Sequence, residues 1–139
     1  MRTRRSIFVT ALALATLAVQ STRACSCLEM TDEARVNGAK RIVLARIVST
    51  LHKPLAEEPR GFVEARNEVV EVLKGAPQPS TGTILEPVFG PGSCSVPLFT
   101  VHQYVLLLHG EEPEYVSMCS GAFIYVPGNE PSQAELAKV

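Results

Sequence analysis

The stretch Arg41-Ile42-Val43-Leu44-Ala45-Arg46-Ile47-Val48-Ser49-Thr50 decides the fold. Its β-branched residues favour extended backbone, and a strand sends successive side chains to opposite faces. Here apolar residues fall on both parities, Ile42 and Leu44 on one and Val43, Ala45 and Ile47 on the other. Both faces need cover, so the segment is expected to be a central strand.

Upstream, Thr31-Asp32-Glu33 supplies a helix cap with acids in the first turn, and Asn37-Gly38 closes that short helix. Downstream, residues 52–61, with Pro54, Pro59 and Glu57-Glu58, read as a polar connection that includes His52. Phe62 to Leu73 follows as a second long strand, in which Glu64, Arg66 and Glu68 alternate with Val63 and Ala65. The phase slips at Val69-Val70, which predicts a bulge. Lys74-Gly75 ends this strand, and Ala76 to Gly82 is a loop.

Thr83 to Phe89 is expected as a third strand, and Gly90-Pro91-Gly92 turns into Ser93-Cys94-Ser95. Gln103 to His109 is almost wholly apolar and therefore an internal strand. Tyr115 to Met118 leads through Cys119-Ser120-Gly121 into a strand over Ala122 to Val126, and a last helical turn is expected over Gln133 to Lys138. This pattern predicts an all-β domain with minor helix, a five- to six-stranded Greek-key barrel, closed or partly open.

The N-terminus reads as an address. Met1-Arg2-Thr3-Arg4-Arg5 is a positive region, and Ile7 to Val19 is an uncharged run of 13 residues. A membrane span needs about 20 apolar residues, so the segment is expected to be a secretory signal peptide (1–24), removed before Cys25, and not an anchor. Ser6-Ile7-Phe8 fits a twin-arginine signal poorly, and Thr22-Arg23-Ala24 lacks the Leu-small-small triplet of a lipoprotein signal. The expected product is a secreted or periplasmic, monomeric domain over 25–139.

All four cysteines, Cys25, Cys27, Cys94 and Cys119, fall in that domain. Oxidising surroundings make two disulfides the default. Joining Cys25 to Cys27 would close a strained ring across Ser26, which leaves two connectivities. Either one ties the N-terminus to two points about 70 and 90 residues away, and each such closure stabilises by roughly 4 to 5 kcal/mol in the chain-entropy model, less where the loops overlap. A zinc site within the chain is disfavoured because Cys94 and Cys119 stand alone instead of in Cys-x-x-Cys knuckles.

Charge and motif content exclude other classes. The 139 residues carry 13 Lys and Arg against 14 Asp and Glu, a net of −1. Four of the arginines lie in residues 1–24, which hold no acid, so 25–139 carries 9 basic and 14 acidic residues, a net of −5. An acidic domain lacks the cationic field that a phosphate backbone requires, so no nucleic-acid partner is expected. His52, His102 and His109 have no metal-ligand spacing, and no Gly-x-Ser-x-Gly elbow, phosphate loop or acidic metal cluster stands in the chain. The serines near Cys94 and Cys119 lack an adjacent base, and the acidic group Glu111-Glu112-Glu114 reads as a solvated loop face. Neither an enzyme nor a cofactor is expected.

Cys25-Ser26-Cys27, directly after a signal peptide, resembles the start of the tissue inhibitors of metalloproteinases and of the wider netrin-like module, an OB-fold barrel. The resemblance continues in order through Arg35-Val36-Asn37-Gly38-Ala39 into Arg41–Thr50, then Val72-Leu73-Lys74-Gly75, Ser93-Cys94, Gln103-Tyr104-Val105-Leu106 and Cys119-Ser120. It implies an OB-fold-like, netrin-like barrel with Cys25 paired to Cys94 and Cys27 to Cys119. It also implies that the α-amino and carbonyl groups of Cys25 bind the catalytic zinc of a target metalloprotease, the sole metal contact expected. Ser26 would then enter the specificity pocket, with Cys27 and Leu28 along the cleft and Ser93, Cys94 and Ser95 alongside.

Three departures stand out: Val36 occupies the position of a helix cysteine, Leu28-Glu29 replaces the usual Val-Pro, and no separate Cys-rich C-terminal domain is read in the chain. Two functions follow as expectations. One is a secreted inhibitor of zinc metalloendopeptidases; the other is a non-inhibitory netrin-like binding or structural module of the cell envelope or extracellular space.

Overall fold

The computed structural model describes residues 27, 30–54, 61–76, 80–88, 94–110 and 113–139. Helix α1 (Asp32–Gly38) begins where Thr31 caps it, the threonine Oγ1 accepting from Ala34 N at 3.1 Å. Strands β1 (Arg41–Lys53) and β2 (Phe62–Lys74) follow as a long antiparallel pair, then β3 (Thr81–Pro87), β4 (Gln103–Leu108) and the two-residue β5 (Glu114–Tyr115). A single 3-10 turn (Met118–Ser120), strand β6 (Phe123–Tyr125) and helix α2 (Glu130–Leu136) complete the described order.

The six strands form one mixed sheet in the order β5-β3-β2-β1-β4-β6, antiparallel throughout except for the parallel β3–β5 pair. It is curled into a half-barrel, and the described residues are mostly β with two short helices. Three register shifts between β1 and β2 leave Val48, Val70 and Leu73 as extra residues. Each bulge adds local twist, and together they let two 13-residue strands bend around a concave face. The slip expected at Val69-Val70 is one of the three.

β1 lies inside the sheet, between β2 and β4, and both of its faces are covered as its sequence requires. Val43, Ala45 and Ile47 join Ala65, Ile84, Tyr104 and Leu106 in the core of the concave side. Ile42 and Leu44 meet Val105 and Leu107 on the convex side, where Val36 of α1 and Leu136 of α2 pack over them. The helices therefore act as lids on the outer face. α2 starts earlier than expected because Asn129 caps it, Oδ1 accepting from Ser132 N at 3.1 Å, and Pro131 suits the first turn.

Several expectations are corrected. β1 continues past Thr50 to Lys53, so His52 belongs to the strand, opposite Val63, and not to a loop. The reason is a long-range partner: Lys53 forms an ion pair with Glu64 across the β1–β2 ladder. β3 begins at Thr81 and ends at Pro87, while Phe89 lies outside the described residues, as do Glu57, Glu58 and the Gly90-Pro91-Gly92 turn. Glu114 is not solvated: it is 9% exposed and accepts from His109 N at 3.2 Å and Gly110 N at 2.9 Å, with Arg41 at 3.4 Å. Two backbone donors and a cation offset the desolvation of that carboxylate. Glu111 and Glu112 lie outside the described residues.

One end of the half-barrel is closed by an irregular segment rather than by a strand. Val96 and Leu98 are buried in the concave core, and the Tyr104 hydroxyl holds the backbone between them and Val101. That hydroxyl donates to Pro97 O at 2.7 Å and accepts from Phe99 N at 2.8 Å. Tyr104→Phe removes both bonds and leaves a partly buried N–H and C=O unpaired, so it is expected to cost about 2 kcal/mol. A thermal melt that matched the parent within error would refute the clamp.

Candidate functional site

The described residues expected to form an edge, and the disulfide partner expected for Cys27, come from three parts of the chain. Cys27 precedes α1, Cys94 and Ser95 open the closing segment, and Cys119 sits in the 3-10 turn between β5 and β6. The structure brings them together. Cys27 is bonded to Cys119 (S–S 2.01 Å, Cα–Cα 5.3 Å), which agrees with one of the two pairings the resemblance implied. Cys94 is also disulfide-bonded, to a partner outside the described residues. Cys25, Ser26, Leu28 and Ser93 lie outside the described residues as well.

Local sequence explains why the turn at Cys119 is firm. Ser117 and Ser120 cap it reciprocally: Ser120 N donates to Ser117 Oγ at 3.2 Å, and Ser117 N donates to Ser120 Oγ at 3.1 Å. Gly121 ends it with φ of 89°, and a Cβ there would stand 3.1 Å from Leu107 Cδ2, so glycine suits both the backbone and the packing. Met118 N donates to Cys94 O at 2.8 Å, tying the turn to the closing segment. The sulfur atoms of Cys27, Cys94 and Cys119 fall within 4.8 Å of one another. Three thiols so placed would suit a metal, but all three are oxidised here and a disulfide sulfur lacks the thiolate charge that binds zinc.

The closing segment is anchored from below by two groups that the sequence reading did not single out. Ser95 Oγ donates to Pro87 O at 3.5 Å, and the neighbouring Glu86, 4% exposed, accepts from the Leu98 backbone N–H. Burial pushes the Glu86 carboxyl up to about 7, against a smaller lowering by the Leu98 bond. Burial also raises the Tyr104 hydroxyl; its bond from Phe99 opposes this, and the negative charge of Glu86 adds to it. Glu86 and Tyr104 are thus close enough to sense each other beneath the segment that carries Cys94 and Ser95. The signal was present in the sequence, since Glu86 shares the inward parity of Ile84.

Neither His102 nor His109 faces this edge in a hydrogen bond: His102 Nδ1 meets Thr100 O at 3.1 Å, and His109 Nδ1 meets Gly38 O at 3.3 Å. At this edge Ser95 and Ser120 donate their hydroxyls to backbone carbonyls, and Cys27, Cys94 and Cys119 are oxidised. No helix among the described residues is long and apolar enough to cross a membrane. No family model matches the chain, and no curated protein matches it.

Proposed function

We propose that the chain is an exported inhibitor of zinc metalloendopeptidases, built on a Greek-key, OB-fold-like barrel of the netrin-like kind and acting through a free amine and carbonyl at Cys25. The observation that carries this reading is the tether at Cys27, the last residue of the Cys-Ser-Cys run. Cys27 is bridged to Cys119 beside Cys94, so a chain end that would otherwise fray is held against the barrel. Pre-ordering of that kind lowers the entropy cost of binding.

The chemistry follows from the target. A zinc protease uses a metal-bound water as its nucleophile. A neutral amine and carbonyl from Cys25 would replace that water, and an α-amino group with an ordinary pKa near 7.7 to 8.0 loses its proton readily on metal binding. Ser26 would enter the specificity pocket, Cys27 and Leu28 would run along the cleft, and Ser93, Cys94 and Ser95 would flank them. The partner is a zinc metalloprotease; the protein supplies no metal of its own.

The deciding experiment uses the exported protein. N-terminal sequencing is expected to find Cys25 first with an unmodified amine, and the protein is expected to inhibit members of a zinc endopeptidase panel. Adding one Ala before Cys25 is expected to abolish inhibition while leaving the fold and both disulfides intact. Equal inhibition with and without the extra residue would sink the chelation mechanism and leave the cysteines as staples of a non-inhibitory module.

A further inference from the structure

β6 is an edge strand of the sheet, and a groove beside it runs between α1, the 3-10 turn and the residues that end α2. Its cavity of about 440 Å3 lies within the roughly 300 to 1,000 Å3 usual for small-molecule sites. Most of the wall is hydrocarbon: Val36 from α1, Val96 from the closing segment, Leu107 from β4, Met118 from the turn, and Phe123 and Ile124 from β6. The described charged residues of the lining are joined in one chain of ion pairs, Arg35 to Asp32 at 3.3 Å, Asp32 to Lys138 at 3.9 Å and Lys138 to Glu135 at 2.6 Å. They therefore gather at one rim, and the groove is amphipathic.

Arg35 is the member of this rim whose bonding is incomplete. The side chains of Asp32, Glu135 and Lys138 are about half exposed, so water completes their shells. The Arg35 side chain is 25% exposed, and among the described residues its Nε is the one buried side-chain nitrogen or oxygen without a hydrogen-bond partner. The cause is local. Its stem lies across the 3-10 turn, where a Cβ on Gly121 would stand 3.3 Å from Arg35 Cδ, so the glycine lets the arginine lie close. A buried donor left unpaired weakens a fold, and its retention calls for a reason outside the fold.

The nitrogen already taken indicates which acceptor would complete the set. A guanidinium carries the Nε and Nη2 N–H groups side by side along one edge and Nη1 away from that edge. Asp32 takes Nη1 through a single contact, and no bond from the other edge is made among the described residues. Two parallel N–H groups match the two oxygens of a carboxylate. The exposed Asp32 is a weak competitor, because an ion pair in water contributes little. The hydrocarbon wall offers nothing to further polar groups, so the remainder of the ligand is an aliphatic chain.

We propose that this groove binds a fatty acid, with the carboxylate on the Nε–Nη2 edge of Arg35 and the chain along Val36, Leu107 and Phe123, which already pack in one cluster. Nε is shielded from water, so the carboxylate meets it as the arginine side chain, tied only to exposed Asp32, turns toward the groove. The site adjoins the turn that carries Cys119 but uses none of the cysteines, and it does not depend on inhibition.

The test is a titration of the 15N-labelled, disulfide-intact protein with octanoate, decanoate and dodecanoate up to about 1 mM, enough to detect submillimolar affinity. Octanol supplies the chain without the carboxylate, acetate the carboxylate without the chain, and N-acetyl-leucyl-leucine a peptide carboxylate. The fatty acids are expected to shift the Arg35 Nε–H signal and the backbone signals of Met118, Ala122 and Phe123. Affinity should rise about 3-fold per added methylene until the groove is filled. Octanoate should bind about 10-fold or more tightly than octanol. Arg35→Lys keeps the charge and removes the fork. It is expected to weaken octanoate binding by about 10-fold and to leave octanol binding unchanged, a pattern that a damaged fold would not give. Met118→Gln, at a half-exposed position on the wall, should weaken both ligands alike by a smaller factor. Octanol or acetate binding as tightly as octanoate would overturn the proposal, as would an Arg35→Lys protein that keeps the parent's affinity for octanoate. So would tighter binding of N-acetyl-leucyl-leucine than of any fatty acid, or no response to any probe. The Ala-extended protein should bind octanoate as the parent does, so loss of the inhibitor reading leaves this result readable.

Discussion

Replacing Cys27 and Cys119 together by serine is expected to lower the unfolding free energy by about 3 to 4 kcal/mol, less than an isolated bridge spanning 92 residues would give, because the second disulfide shortens the loop it closes. Domains of this size have roughly 5 to 15 kcal/mol in total, so the double variant should lie near the threshold of folding. The bridge supports elements that have little else. Cys27 precedes a helix of 7 residues with no buried side chain, and Cys119 occupies a turn of 3 residues. Both positions must be changed at once, because a single remaining thiol would lie within 4.8 Å of the Cys94 sulfur and could attack that second disulfide. Urea denaturation under oxidising conditions is the measurement. The midpoint should fall, and the dependence on urea should steepen as the unfolded chain gains freedom. An unchanged midpoint would mean that the rest of the half-barrel already holds the N-terminal run, and the structural argument for pinning would fail.

The parts of this fold that were legible in the sequence are those with local, periodic signals. Both faces of β1 could be read from Ile42 to Ile47, and the bulge at Val70 from a broken alternation. The cap at Thr31 could be read from three consecutive residues. What escaped depends on partners distant in sequence. β1 reaches Lys53 because Glu64 is opposite, and Glu114 is buried because Arg41, 73 residues away, and two backbone amides meet it. A two-residue strand such as β5 carries no periodicity, and its parallel pairing with Ile84 and Leu85 leaves no local mark. Glu86 and Asn67 are a different case, since each interrupts an inward apolar series that could be counted. A polar residue at an inward strand position signals either a satisfied buried group or a site, and its partners decide which. Glu86 has the Leu98 amide, and Asn67 lies against Gly82, the residue opposite it on β3.

Glu86 makes stability depend on pH in the direction opposite to ordinary acid denaturation. Its carboxyl titrates at about 7 in the folded chain against 4.5 when solvated, because burial favours the neutral form. The folded state therefore holds this proton more tightly. Its contribution is fully present below pH 4.5 and is lost as pH rises through 7. The difference corresponds to roughly 3 kcal/mol at most. Glu86→Gln keeps an oxygen to accept from Leu98 N–H and removes the titration. The variant should match the parent near pH 4.5 and exceed its stability by about 2 to 3 kcal/mol at pH 8, where the parent carries a desolvated charge next to the Tyr104 hydroxyl. Comparing the two proteins at each pH cancels the titration of every other group. The strain should be local, since Leu98 belongs to the segment that carries Cys94 and Ser95. Amide exchange at Leu98 and Phe99, corrected for intrinsic rates, should speed up between pH 6 and 8 in the parent and not in the variant. Parallel stability profiles across that range would show that the Glu86 carboxyl is solvated and that its protonation does not affect the hold on the closing segment.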